Sequence, residues 1–101
     1  MIRIAVLYPN EPGTRFDWDY YLKKHMTLVH EKLGPSGLVR SEVDKATDPS
    51  APFIGAAYLY YDCLEDCQRS FLDPANGAEI GADVANYTNA VPQVLISEIV
   101  Q

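Results

Sequence analysis

Hydrophobic and polar positions change their period along the chain, and the changes divide it into strands and helices. Apolar runs rich in β-branched and aromatic residues predict four strands, at residues 2–8, 38–45, 53–61 and 94–100. Apolar residues at helical spacing predict a first helix from an N-cap at Asp17 to Leu33. Asp62 and Glu65 match a capping box, which predicts a second helix, with a further short helical piece at 75–84.

The order of the predicted elements is β-α-β-β-α-β, which is the split βαβ or ferredoxin-like arrangement. It predicts one α+β domain over residues 1–101, with a four-stranded antiparallel sheet and both helices on one face. The other face should then be bare, yet three of the strands carry apolar residues toward both faces. Because such a face is unusual on a monomer, we expect a homodimer with two sheets packed face to face. A monomer covered by its own loops is the alternative, but no loop is long or apolar enough for that.

Composition is that of an ordinary globular protein, and charge argues against two classes of partner. Hydrophobic residues make up 48% of the chain and charged residues 22%, with a net charge of −6. Because the few basic residues are scattered, we expect no binding to nucleic acid or to an anionic membrane. The apolar start of the chain is too short for a signal sequence or a membrane span, so a cytoplasmic protein is expected.

Sequence motifs for the common cofactors are absent from the chain. There is no Gly-rich dinucleotide fingerprint and no phosphate loop, so no tightly bound cofactor is expected. Cys63 and Cys67 are expected to be reduced thiols, and no residues have the spacing of zinc ligands. We therefore predict no metal site.

His25 is the residue with the most distinctive position for chemistry. It lies in the middle of the apolar stripe of the first helix and should face the sheet. Burial there lowers a histidine pKa and favours the neutral imidazole, which can accept a proton. A core histidine that only hydrogen-bonds a carbonyl or a tyrosine is the alternative, and the sequence leaves both open. His30 lies off the stripe and is expected in solvent.

Polar side chains are expected to meet at one end of the sheet, beside the start of the first helix. Tyr8 and Asn10 end the first strand, whereas Asn86 and Tyr87 lead to the last strand, its neighbour in this topology. Each of these residues could instead be a turn residue that satisfies local backbone groups. We predict a small-molecule pocket here, with Trp18 of the first helix as a further ligand contact.

Segments spread over nearly the whole chain match those of a known family. They are Val6-Leu7-Tyr8-Pro9-Asn10, Phe16 to Leu22, Lys24-His25-Met26, Asn86 to Asn89, Pro92 and Ile96 to Ile99. Together they resemble the EthD family, in particular the short proteins called EthD family reductases. The resemblance implies a dimeric α+β barrel in which His25 is the characteristic helix histidine. Thr27 and Ala85 depart from it, since the family often has proline at both positions.

The leading hypothesis for function is an oxidoreductase without a tightly bound cofactor. Barrels related to the family include cofactor-free oxygenases, lactone isomerases and haem-binding enzymes. The substrate would be a small apolar phenol, quinone, lactone or carbonyl compound. His25 would be the general base, and Tyr8 or Tyr87 would hydrogen-bond the oxyanion that results from proton abstraction. One alternative is a non-catalytic module that binds a hydrophobic metabolite for a separate oxidative enzyme. Another is a haem-binding barrel with His25 as axial ligand.

Overall fold

The protein, described over all 101 residues by a computed structural model, is built on a four-stranded antiparallel sheet. Its strands are β1 (Ile2–Pro9), β2 (Leu38–Lys45), β3 (Phe53–Tyr61) and β4 (Gln93–Glu98). Their order across the sheet is β2-β3-β1-β4, and helices cover one face. The predicted ferredoxin-like fold is therefore confirmed, although β4 ends two residues earlier than its apolar pattern predicted.

Helix α1 runs through residues 18–33 but is not regular. It is α-helical at Trp18–Tyr20, π-helical at Tyr21–His25 and α-helical again at Met26–Leu33. Asp17 caps it as predicted, because its carboxylate accepts a hydrogen bond from the amide of Tyr20 at 3.1 Å. A short 3₁₀ turn at Gly34–Ser36 ends the helix.

Two shorter helices follow β3, namely α2 (Leu64–Ser70) and α3 (Pro74–Asp83). The predicted N-cap at Asp62 is wrong: Cys63 is still extended, so α2 begins one residue later and has no side-chain cap. Asp73 caps α3 by accepting a hydrogen bond from the amide of Asn76. None of the helices combines the length and hydrophobicity that a membrane span requires.

The core lies between the sheet and the helices and is rich in tyrosine. Its buried members are Ile4, Tyr8, Tyr21, Met26, Val29, Leu33, Ala57, Leu59, Tyr61, Cys67 and Tyr87. The side chains of β1 and β3 alternate, so every second residue of these central strands faces α1. This alternation brings Tyr8, at the end of β1, to the same layer as the histidine of α1.

The opposite face of the sheet is not covered by any helix. Strand pairing places Ala5, Leu7, Ala56, Tyr58 and Leu95 together there, and the side chain of Leu95 is exposed. The edge strand β2 adds charged residues to the same face, at Arg40, Glu42 and Asp44. We call this surface the open face; it is more polar than β1, β3 and β4 alone indicate.

Candidate functional site

A cavity of about 220 Å³ lies between the helix-covered face of the sheet, α1 and α3. Apolar side chains form most of its wall, among them Val6, Val29, Leu59, Phe71, Ile80 and Val94. Tyr8, His25 and Tyr87 supply polar atoms at one end. An apolar cavity with a few converging polar groups is the usual form of a small-molecule site.

His25 reaches this cavity from the end of the π-helical segment of α1. The residue is only 3% exposed, and its ring stacks on Tyr21 with the centroids 5.3 Å apart. Nδ1 lies 2.9 Å from Oδ2 of Asp83, and Nε2 lies 3.4 Å from the hydroxyl of Tyr87. Both ring nitrogens therefore have a partner, but the contact at Nε2 is long for a hydrogen bond.

The carboxylate of Asp83 fixes which groups donate and which accept in the hydrogen bonds around His25. An ionised carboxylate only accepts, so Nδ1 must donate and Nε2 must be the acceptor. The hydroxyl of Tyr87 then donates to Nε2, and its oxygen accepts from the hydroxyl of Tyr8, 2.8 Å away. The imidazole consequently presents a basic lone pair at the cavity end.

Burial sets the protonation states of this group. It lowers the pKa of His25 below the ordinary value of 6.5, although the carboxylate of Asp83 partly opposes the shift. Burial also raises the pKa of Tyr8 and of Tyr87 well above the ordinary tyrosine value. At neutral pH the site therefore holds a neutral imidazole beside two protonated phenols, which are hydrogen-bond donors.

Asp83 is the functional residue that the sequence did not reveal. It ends α3, and its Oδ1 accepts hydrogen bonds from the hydroxyl of Tyr20 at 2.6 Å and from Nδ2 of Asn86 at 2.9 Å. Desolvation acts to raise its pKa, but the hydrogen bonds from Tyr20, Asn86 and His25 outweigh that effect and lower it. The contact between Asp83 and His25 spans 58 residues of chain, so no local pattern in the sequence indicates it. The one available signal was the position of Asp83 just before the Asn86-Tyr87 segment.

Three residues predicted to contact ligand lie outside the cavity wall. Asn10 uses its amide nitrogen to bind the carbonyl oxygens of Pro49 and Ala51, both at 2.9 Å. It thus ties the end of β1 to the β2–β3 loop. Asn86 bonds to Asp83 and lies on the outer side of the histidine rather than in the cavity.

Trp18 packs on the end of β3, where Gly55 leaves room for it. A Cβ at Gly55 would lie 2.5 Å from the indole ring, so only glycine permits this approach. The indole also contacts Phe16, at 4.4 Å between ring centroids. Trp18 thereby closes the sheet end next to the cavity, whereas Tyr8, His25 and Tyr87 line the cavity itself.

A haem group does not fit this arrangement. The cavity is smaller than the roughly 300–1,000 Å³ of pockets that hold drug-sized ligands. Asp83 engages Nδ1 of His25, so only Nε2 could face a ligand, and the cavity at Nε2 has room for about one ring. The chain also contains no group of three or more His, Cys, Asp or Glu side chains placed to hold a metal ion.

Comparison with known proteins identifies the family. A model of the EthD domain matches residues 14–90. An EthD-like protein from Ralstonia eutropha JMP134 is 35% identical, with 99% of this chain and 92% of that chain covered and a TM-score of 0.83. An EthD family protein from Bacillus halodurans C-125 is 21% identical, with 98% of both chains covered and a TM-score of 0.72.

The fold is also shared with a more distant protein. SnoaB, a cofactor-independent oxygenase from Streptomyces nogalater, is 8% identical, with 99% of this chain and 93% of that chain covered and a TM-score of 0.71. No curated protein sequence matches the chain. Because the EthD model spans most of the chain and the Ralstonia protein is similar over almost all of it, the chain belongs to the EthD family.

Proposed function

We propose that this EthD family protein is an enzyme that abstracts a proton from a small, planar, largely apolar substrate, without a tightly bound cofactor. The observation that carries the proposal is the neutral imidazole of His25, whose acceptor Nε2 lies at the polar end of an apolar cavity. A buried base of this kind suits general base catalysis near neutral pH.

The size of the cavity limits the substrate. An apolar cavity of roughly 150 Å³ accepts benzene, so about 220 Å³ accommodates one ring with one or two substituents. The apolar wall favours an uncharged ring, and the phenols of Tyr8 and Tyr87 favour an oxygen atom at one end. Single-ring phenols, quinones, lactones and cyclic ketones meet both conditions.

The long contact at Nε2 suggests how the substrate enters the hydrogen-bond chain. At 3.4 Å, Tyr87 is weakly bonded to Nε2 and can be replaced there by a substrate O–H or acidic C–H group. The proton moves to Nε2, which leaves an imidazolium and a substrate anion. The hydroxyls of Tyr87 and Tyr8 then donate to the oxygen that carries the negative charge.

Oxidation of this anion is the reaction that we infer to follow. Dioxygen is the oxidant class proposed, because electron-rich anions react with it more readily than their neutral acids do. It adds to the carbon that lost the proton, so that a C–O bond forms and O₂ is reduced to a peroxide. The imidazolium then returns its proton to the outer oxygen, and substrate plus O₂ gives a hydroperoxide without any other reductant. The name of the distant SnoaB structure, a cofactor-independent oxygenase, supports this class on the same fold. The proposal for the chain itself rests on the proton transfer at His25.

The proposed enzyme functions as a homodimer through the open face. Ala5, Leu7, Tyr58 and Leu95 form a hydrophobic strip on that face. Packing two copies about a two-fold axis would remove this strip from water.

The test combines ligand binding with turnover. Single-ring phenols, quinones and lactones are screened for thermal stabilisation of wild type, His25→Ala and His30→Ala, because a ligand of the native state raises its apparent stability. His30 is the matched control, since it is the other histidine of the chain and bonds Ser41 on the outside of α1. Product formation and oxygen uptake are then measured for the stabilising compounds.

We expect at least one compound class to stabilise and be turned over by wild type and His30→Ala. In a folded His25→Ala variant, the rate should fall by about 10²–10⁴-fold, the usual share of general base catalysis. Unchanged turnover in His25→Ala would refute the assignment. Tight binding without turnover in any of the three proteins would instead favour the non-catalytic binding module.

A further inference from the structure

Asp83 contacts His25 from outside the cavity. Its side chain is 15% exposed and does not line the cavity, whereas the side chain of His25 is 4% exposed and does. Its hydrogen bond to the imidazole is made at Nδ1, at 2.9 Å. A ligand in the cavity would therefore contact the opposite side of the ring.

The carboxylate of Asp83 is itself fixed in orientation. Tyr20, in the first turn of α1, and Asn86, just after α3, both donate to Oδ1. These two bonds occupy one oxygen and leave Oδ2 directed at His25. Donors from two separate segments thus hold the carboxylate in one rotamer.

The fixed carboxylate determines which nitrogen of His25 carries the proton. A carboxylate accepts hydrogen bonds only, so the proton must be on Nδ1 and the lone pair on Nε2. With the proton on Nε2 instead, the imidazole could not take a proton from a ligand in the cavity. Once Nε2 has been protonated, the negative charge at Nδ1 also stabilises the imidazolium.

We propose that Asp83 is a positioning residue, which holds His25 in the tautomer that can act as a base toward the cavity, and that Tyr20 and Asn86 hold Asp83 in turn. The effect on turnover rests on the proposed function, but the effect on the tautomer does not. The competing explanation is that the Asp83–His25 bond only fastens α3 to α1. That explanation has weight because α3 has no buried residue of its own.

The first test reads the tautomer directly. Nitrogen NMR of ¹⁵N-histidine-labelled protein distinguishes a protonated from an unprotonated ring nitrogen. At neutral pH we expect wild type to show Nδ1 protonated and Nε2 free, with Asp83→Asn giving a mixture or the opposite tautomer. An Asp83→Asn spectrum with the wild-type tautomer would overturn the proposal, whatever the activity of His25 variants.

The second test uses the kinetics of any compound that wild type turns over. Because Asp83 does not touch the ligand, Asp83→Asn should leave KM little changed. It should lower kcat by about tenfold to a hundredfold, which is less than the loss of ~10⁴ for a fully buried triad aspartate. The acid limb of the pH–rate profile should move to lower pH, since the charge that favours protonated His25 is gone. The other titratable groups around His25 are Tyr8 on β1, Tyr87 before β4 and Tyr21 on α1 itself, and all three stay neutral in this range.

Three further variants separate positioning from loss of structure. Asp62→Asn removes the same charge at an exposed position and should behave as wild type. Asp83→Glu keeps the charge and should recover part of kcat and the wild-type tautomer. Tyr20→Phe leaves the carboxylate in place but less constrained, and should lower kcat by less than Asp83→Asn does. A fall in kcat for Asp83→Asn with an unshifted pH limb would mean that the bond only fastens α3.

Discussion

At the scale of single residues, the site depends on opposing influences on His25. Burial disfavours its charged form, whereas Asp83 favours it, and burial is the stronger influence. Burial is also the largest influence on the two phenols, but it raises their pKa values, so they keep their protons. One apolar environment thereby makes His25 a free base and Tyr8 and Tyr87 hydrogen-bond donors.

The lowered pKa of His25 predicts that acid destabilises the fold. Between that value and the ordinary 6.5, the unfolded chain binds a proton that the folded protein does not. The free energy of unfolding should therefore decrease as the pH falls from about 6.5. Asp83, with its lowered pKa, should add a further loss below its ordinary value of 3.8.

Urea unfolding followed by circular dichroism from pH 8 to pH 4 measures this dependence. In His25→Gln the loss of stability that begins near pH 6.5 should disappear, since no group at this position then titrates. His30→Gln is the control and should keep the wild-type slope. The explanation fails if His25→Gln shows the same slope as wild type.

At the scale of elements, α3 contains two glycines that the stability of the helix does not explain. Gly77 and Gly81 lie inside this helix and line the cavity. Neither makes a close approach to another group, because a Cβ at either position would meet nothing within 4 Å. Each glycine costs the helix about 1 kcal/mol relative to alanine. We infer that they keep the rim of the cavity open.

Alanine at these glycines should have opposite effects on stability and binding. Gly77→Ala and Gly81→Ala should each raise the free energy of unfolding by up to about 1 kcal/mol. The double variant should bind the largest accepted ring compound more weakly while it keeps the smallest. Gly34→Ala is the matched control, because Gly34 has a helical φ of −56°, equally open space and a position outside the cavity. If the double variant binds every compound as wild type does, the glycines do not set the size limit.

The elements themselves were largely predictable, because each rests on a local pattern. The bounds of β2 and β3 follow from turn residues on both sides, and α1 follows from Asp17 and the Gly34-Pro35 stop. The start of α2 was not predictable from its capping-box letters, since Cys63 continues the extended chain. The π-helical segment of α1 leaves no periodicity signal of its own in the sequence.

At the scale of the whole molecule, the meeting of Tyr8, His25 and Tyr87 could be predicted because topology places β1, α1 and the approach to β4 side by side. A pocket beside Tyr8 and Tyr87 was also predicted, but the cavity wall that α3 supplies and the Asp83–His25 contact could not be, since both depend on how α3 packs across the sheet. Asn10 and Trp18 occur in the expected region, but their side chains bind the β2–β3 loop and β3.

The open face predicts association of two copies. Stable protein–protein interfaces bury about 1,200–2,000 Å² in total. We expect the hydrophobic strip of the open face to form the centre of such an interface. Leu95→Lys places a charge beside Ala5 in that strip and should convert dimers to monomers, as measured by sedimentation over a range of concentrations. Leu22→Lys is the control, because Leu22 is similarly exposed but lies on α1. A wild-type protein that stays monomeric at all concentrations would exclude this assembly.

The most direct measurement of the central claim is hydrogen–deuterium exchange in a bound ligand. A single-ring lactone or cyclic ketone that stabilises the protein is incubated with it in D₂O without oxygen, and loss of its acidic C–H signal is followed by NMR. If His25 abstracts protons in the cavity, wild type and His30→Ala will accelerate the exchange, whereas folded His25→Gln will leave it at the rate of the solution. If wild type binds the ligand but does not accelerate its exchange, His25 is not a base toward the cavity and the protein is better described as a binding module.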